Sequence, residues 1–420
     1  MRKVKFVSMF VLLALLLSTV ASTVLAQEES PDISCLLISP QDRGVDNTYV
    51  YPVVPGTDAW AQLKTHDEMI KVTQIPIDVL RDLSTQSLVE TVLNYPLYGD
   101  ILAYDNMQYG FNSMVSAFNG LQELLQRKDA AYELVTLYAA MDPLKIDSEW
   151  TSKQKGNYHR QFIYVEALLA QDELLSGLLP EQQLELLGLS WKKLKAKQDL
   201  AEIYGIEGLK TSLLLSGRIL KFHQPQIFDS ASEDLRAFLR DSSTNSLTCL
   251  NTILVETASA LAEEPILIDL DTAHAKDYYT YVYTPRGSSV PVIRRTYELT
   301  QAQIDANDAW VESNYPNAIL IRSSSRKYNC HSYAWYSQSS SNNYWMNNPG
   351  DDTYWNDGSY YRIYYCPAYN AKASYASDDH SANIDGMGNF TSKWGQLGVV
   401  KHATSYCPYN SSTINYYKRN

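Results

Sequence analysis

The sequence predicts a multi-domain chain in which an all-α N-terminal domain precedes an α+β C-terminal domain, and three observations carry that expectation. Apolar residues recur at helical spacing from about residue 58 to residue 265. From about residue 276 the pattern changes to short β-rich runs separated by turn residues. Composition changes with it. Residues 320–420 hold 9 basic and 6 acidic side chains, with 15 of the 32 tyrosines and four of the eight tryptophans, whereas the preceding 319 residues hold 26 basic and 41 acidic ones. Two compositions in one chain imply two jobs. Across all 420 residues, 45% apolar content excludes wholesale disorder, and a formal charge of -12 argues against a nucleic-acid partner.

Taken in order, the chain opens on Arg2, Lys3 and Lys5, an apolar run from Phe6 to about Val20, and Val24-Leu25-Ala26 before Gln27. That is the layout of a secretory signal peptide over 1–26, and it predicts an extracellular protein with no stable membrane anchor after cleavage. Its apolar core is short for a membrane span. Residues 27–57 read as a linker. The all-helical domain is expected over 58–270. Ser84-Thr85 with Ser87 and Glu90 predict a helix start with a capping box, and Asn94-Tyr95-Pro96 its end. Phe111, Met114, Val115, Phe118, Leu121, Leu124 and Leu125 predict one helix with a buried stripe. Further helices are expected over 162–179, stopped by Pro180, and over 184–200, 209–220 and 235–239. The acidic residues here, and His66, His159 and His223, sit at scattered surface spacing and predict no chemistry.

The C-terminal domain is expected over 276–420. A strand from Tyr278, a turn at Pro285-Arg286-Gly287 and a strand from Val290 come first. A helix follows, with Thr300 and Gln303 placed as a capping box, then a short strand at Ala318–Arg322 and a link at Ser323–Ser325. In Tyr328-Asn329-Cys330-His331-Ser332-Tyr333-Ala334-Trp335, Asn329 is a good N-cap, which puts Cys330 in the first turn of a helix. Such a position favours the thiolate, the form that attacks a carbonyl, and its unpaired N–H groups suit an oxyanion. Downstream, Asp378-Asp379-His380-Ser381-Ala382 reads as a histidine leading a strand, followed by Ser392-Lys393-Trp394-Gly395 and by Val399-Val400-Lys401-His402.

These elements resemble the NlpC-type and CHAP-type branch of the papain-like amidases and peptidases, over at most a third of the chain. The resemblance implies a papain-like fold for 276–420, with Cys330 as nucleophile and His380 as general base and acid. The strand bearing Ser392 and Lys393 should hold the third residue by order, but a lysine cannot accept an imidazole proton, so His402 is the better chemical choice. Asn329, His331, Ser392, Lys393 and Trp394 would line the site or its oxyanion pocket. The implied activity is that of a secreted cysteine amidase or endopeptidase acting on cell-wall peptidoglycan peptides or another peptide or amide substrate, without cofactor or metal. Two other readings stand beside it: an extracellular binding protein with a silent module, and a hydrolase of host proteins or lipid amides. Cys330 as a buried structural thiol and His380 as a surface histidine are the bland alternatives. A zinc site from His331, His380, His402 and a cysteine matches no finger or protease spacing. The stretch from Trp60 to Arg127 resembles a helical module that precedes secreted proteins of Gram-positive gut bacteria, which implies location and no mechanism.

Five cysteines leave one over in an oxidising exterior. Cys366 with Cys407 and Cys35 with Cys249 is the favoured arrangement among three, and it leaves Cys330 as the thiol. The Tyr- and Trp-rich stretch between Asn342 and Tyr365 would wall a cleft or pack on the core as a strand pair.

Overall fold

The computed structural model describes residues 48–229, 231–242, 247–266, 277–365, 369–376, 379–386 and 388–420. The signal segment, most of the linker, Cys35 and Cys366 lie outside them, and so do both expected disulfide pairings. The helical stretch contains α1 (Thr85–Leu93), α2 (Met107–Ala117), α3 (Asn119–Gln126), α4 (Ala130–Ala140), α5 (Ser152–Leu169), α6 (Pro180–Gln198), α7 (Ala201–His223), α8 (Glu233–Asp241) and α9 (Leu247–Leu261). Among the described residues, no helix is long and apolar enough to cross a membrane.

Three local expectations are corrected. The stripe from Phe111 to Leu125 is two helices, because Phe118 is extended (φ -124°, ψ 115°) and breaks the ladder between α2 and α3. Pro180 starts α6 at its first position instead of stopping the preceding helix, where its missing N–H costs nothing. Ser84 caps α1 by accepting from the Ser87 N–H, but Glu90 is fully buried and takes no part in the cap.

The C-terminal stretch is antiparallel sheet plus one long helix. β1 (Tyr278–Tyr283), β2 (Ser289–Arg294) and β4 (Tyr344–Trp345) form a three-stranded sheet. β3 (Ile319–Arg322), β5 (Tyr360–Ile363), β6 (Ala371–Tyr375), β7 (His380–Gly386), β8 (Asn389–Lys393), β9 (Val399–Ala403) and β10 (Ile414–Arg419) form a seven-stranded one in the order β3-β9-β8-β7-β6-β10-β5. Helix α10 (Gln301–Asn314) begins with the Thr300/Gln303 capping box. It lies against α5, where Gly156 admits the Ala302 backbone and Arg160 donates to Asn307 at 2.9 Å.

One buried apolar cluster runs through both stretches. It takes in Trp60, Phe118 and Phe162 from the helices and Ile384, Phe390, Trp394 and Tyr409 from the sheet. Gly395 shows how close the approach is. Its φ is +46°, and a Cβ there would stand 2.4 Å from the Leu102 carbonyl oxygen. The Tyr- and Trp-rich stretch packs inward: Trp335 is the hub of a second cluster, with the rings of Tyr354, Trp355, Tyr360 and Tyr417 centred 5.1–5.9 Å away.

Candidate functional site

Asn329 begins the helical turn that carries the thiol. Its Oδ1 accepts from the Ser332 N–H at 3.2 Å and from the Met346 N–H at 3.1 Å, so the cap is tied to the strand below. Its Nδ2 donates to Asp105 Oδ1 at 2.7 Å. Asp105 comes from the helical half, just past the turn Tyr98–Ala103. Asp105, Cys330 and His331 thereby bring one ligand-type atom each to within 4.8 Å of one another.

The His331 ring is held on both sides. Nδ1 lies 3.0 Å from Asp351 Oδ2 and 2.9 Å from Ser381 Oγ, and Nε2 lies 3.0 Å from Asp379 Oδ1. Burial works against a charge on this ring, but Asp351, Cys330 and Asp379 together lift it well above the ordinary imidazole value. His331 is thus an imidazolium between two carboxylates. The Cys330 thiol is 1% exposed, and burial pushes it up, only partly offset by His331. Asp105 is pushed up to about 7, by burial first and then by Asp379, with His331 opposing. Its Oδ2 is buried and has no hydrogen-bond partner. A cavity of about 70 Å³ reaches Asp105 and is walled by Glu207, Lys210, Arg295, Arg326 and Trp345.

Strand pleating decides which expected residues meet the thiol. Successive side chains on a strand point to opposite faces. On β7, Ser381 receives the Trp335 indole N–H at 2.9 Å and meets His331, so odd positions face the Cys330 turn. His380 therefore faces the other way, where it stacks on Tyr409 with centroids 3.5 Å apart. Both its ring nitrogens are buried without a partner, and burial pulls its basicity well down. The same register puts Phe390, Ser392 and His402 on that core face. His402 Nδ1 donates to the Ala403 carbonyl at 2.8 Å, so Nε2 accepts from Ser392 at 2.8 Å, and the Trp394 indole donates to the same hydroxyl at 3.0 Å.

This corrects the expectation for the imidazole: the ring beside Cys330 is that of His331, its own neighbour in sequence. On the opposite face of the sheet, Ser392, Trp394 and His402 form a closed hydrogen-bonded group, and His380 stacks on Tyr409 without a hydrogen bond. Lys393 shares the face of Cys330, but its ammonium is used by the Ser325, Gly395 and Leu397 carbonyls, and burial lowers it to about 7. Asp105, Asp351 and Ser381 went unnoticed in the sequence. A period-2 reading of Asp379-His380-Ser381 would have found Ser381, because it allows only alternate residues to share a face. The expected wall from the aromatic stretch reduces to Asp351 and Trp345; Tyr354 and Tyr360 are core, whereas Tyr361, Tyr364 and Tyr365 are exposed.

No family model, no curated protein and no solved structure matches this chain.

Proposed function

We propose that the protein is a secreted cysteine amidase or endopeptidase related to the papain-like NlpC and CHAP enzymes, acting on peptide bonds of the cell wall, with Cys330 as its nucleophile. The observation that carries this reading is the grouping of a thiol, an imidazolium and a carboxylate oxygen free of hydrogen bonds at one capped turn. Asp105 Oδ2 takes the thiol proton, and the His331 imidazolium stabilises the thiolate. The sulfur attacks the carbonyl carbon, the C–N bond breaks, and the amine leaves with the proton held by Asp105. Water then hydrolyses the thioester and returns the thiol. Export is supported by the basic and apolar stretch over 2–26, and the substrate class by the family resemblance.

A second reading has its own support. Cys330 is nearly sealed and its thiol is held protonated, which suits an extracellular binding protein with a silent module. Turnover of purified peptidoglycan separates the two. The hydrolase reading expects release of peptide ends in the presence of a chelator, abolished in Cys330→Ala and retained in His380→Phe. Turnover that survives Cys330→Ala, or no turnover together with no alkylation of Cys330 by iodoacetamide, leaves the silent module.

A further inference from the structure

We infer that Asp105, Cys330 and His331 form a binding site for a soft divalent cation, zinc above all. Three kinds of donor converge there, a carboxylate oxygen, a sulfur and a ring nitrogen, all within 4.8 Å of one another. That mixture is what zinc takes in proteins, whereas calcium and magnesium take oxygen alone.

The second and independent observation is how each donor is held. Asp105 gives Oδ1 to Asn329 at 2.7 Å and leaves Oδ2 without a hydrogen bond, on a side chain only 8% exposed. A buried carboxylate oxygen without a hydrogen bond is costly, and the His331 ring stands 3.8 Å from it, beyond hydrogen-bond range. His331 is gripped at Nδ1 by Asp351 at 3.0 Å, which leaves Nε2 on the side of Asp105 Oδ2, 3.8 Å away. A carboxylate on the far nitrogen of a ligating histidine is the usual outer partner of a zinc-bound imidazole. Asp379 Oδ1, 3.0 Å from the same Nε2, also accepts from Asn348 and stands outside the three converging donors, which leaves the fourth position to water.

Charge agrees. Asp105, Asp351 and Asp379 surround a single imidazolium, and the thiol adds a further anion once ionised. Tetrahedral ligands on zinc lie roughly 3.3–3.7 Å apart, so the group needs to close by about 1.5 Å at most. Coordination displaces the thiol proton and the Nε2 proton to solvent. The cavity of about 70 Å³ touches the site at Asp105, and neither Cys330 nor His331 lines it. The binding site does not depend on the hydrolase reading. One consequence does rest on it: a bound ion and an acyl group compete for the same sulfur, so the ion silences turnover.

The test uses the full chain stripped with chelator and titrated with cadmium, then with zinc. One cadmium per chain is expected, with a sulfur-to-metal charge-transfer band that zinc displaces. Cys330→Ser loses the band. Asp105→Asn keeps the fold, judged by its thermal melt, and weakens binding by about tenfold or more. His380→Phe, on the other face of the sheet, leaves both unchanged. The inference is overturned if the wild type shows no band, if the band persists in Cys330→Ser, or if Asp105→Asn binds as the wild type does. Turnover of peptidoglycan in chelator is scored separately. A band without turnover keeps the cation site and removes the hydrolase, and turnover without a band does the reverse.

Discussion

Two of the places where the molecule buries ionised groups treat them in opposite ways. In the helical half, Glu166 and Lys197 are fully buried and 2.7 Å apart. Every polar atom of the pair is satisfied: Glu166 also accepts from Tyr138, Ser212 and Thr211, and Lys197 also donates to the Gly208 carbonyl and to Ser212. Beside the sheet, three carboxylates share one imidazolium, and one of their oxygens has no hydrogen-bond partner. The first group is balanced and closed, which is how a buried charge is tolerated in a scaffold. The second is anionic in excess and open by one atom, which is how a site is prepared for something that binds or reacts.

The most disruptive way to break this comparison is Lys197→Met. It leaves Glu166 charged and unpaired in a dry interior, and a loss of about 3–5 kcal/mol in urea unfolding is expected. Glu166→Leu combined with Lys197→Met should recover most of that loss, since a well-packed apolar pair often replaces a buried ion pair without penalty. A loss below about 1 kcal/mol in the single variant would mean that the helical group is not the closed structural unit described above.

His159 and His331, one from each half, are also held in opposite states. His159 is 2% exposed, accepts from Gln303 Nε2 at 3.0 Å, and burial pulls it down to about 3. It is neutral when folded, whereas His331 is charged. A folded value below the unfolded one near 6.5 means that protons favour the unfolded chain. The contribution of His159 is complete above pH 6.5 and is lost as pH falls toward about 3. Between pH 6.5 and 5 the loss is about 2 kcal/mol, from about 1.4 kcal/mol per unit of pH. Unfolding curves for the wild type and His159→Gln over that window should differ in slope. Parallel curves would remove the contrast.

Asp105→Asn probes the open site. It removes a buried carboxylate that has one good hydrogen bond, and the amide oxygen of the replacement can still accept that bond from Asn329 Nδ2. A stability change within about 1–2 kcal/mol is expected, well below that of Lys197→Met. A larger loss would place Asp105 in the scaffold and make the excess of carboxylates around His331 structural.

The sequence made the scaffold legible where one local rule acts alone. The Thr300/Gln303 box, the Asn329 cap and the turn at Gly287 (φ +89°) need only neighbours in the chain, and all three are in the structure. It was less legible where tertiary packing decides. The apolar period running through Phe118 hid a break, because both helices present that period to one core. The candidate site follows the same division. Asn329, Cys330 and His331 are contiguous and were readable together. Asp105 reaches them from 225 positions before Cys330 and Asp351 from 21 positions after it, distances that no spacing rule covers. His380 was misread for a different reason: its position at the head of β7 was right, but facing depends on register, and one residue reverses it.

His380→Phe is the smallest of the expected effects and the sharpest on that point. The ring stacks on Tyr409 at 3.5 Å among apolar neighbours, and neither nitrogen has a partner. Phenylalanine keeps the stacked plane and removes two buried, unsatisfied polar atoms, so a gain of up to about 1 kcal/mol is expected after some loss to its different shape. The rate of Cys330 alkylation should not change, whereas His331→Asn should change it, because the second ring stands within 4.8 Å of the sulfur and the pleat of β7 turns the first to the other face. If His380→Phe instead slowed alkylation as much as His331→Asn, β7 would have to present its even-numbered side chains to the thiol. The Ser381 contacts with Trp335 and His331 would then have to be absent in solution, and the division of the sheet into a core face and a site face would fall with them.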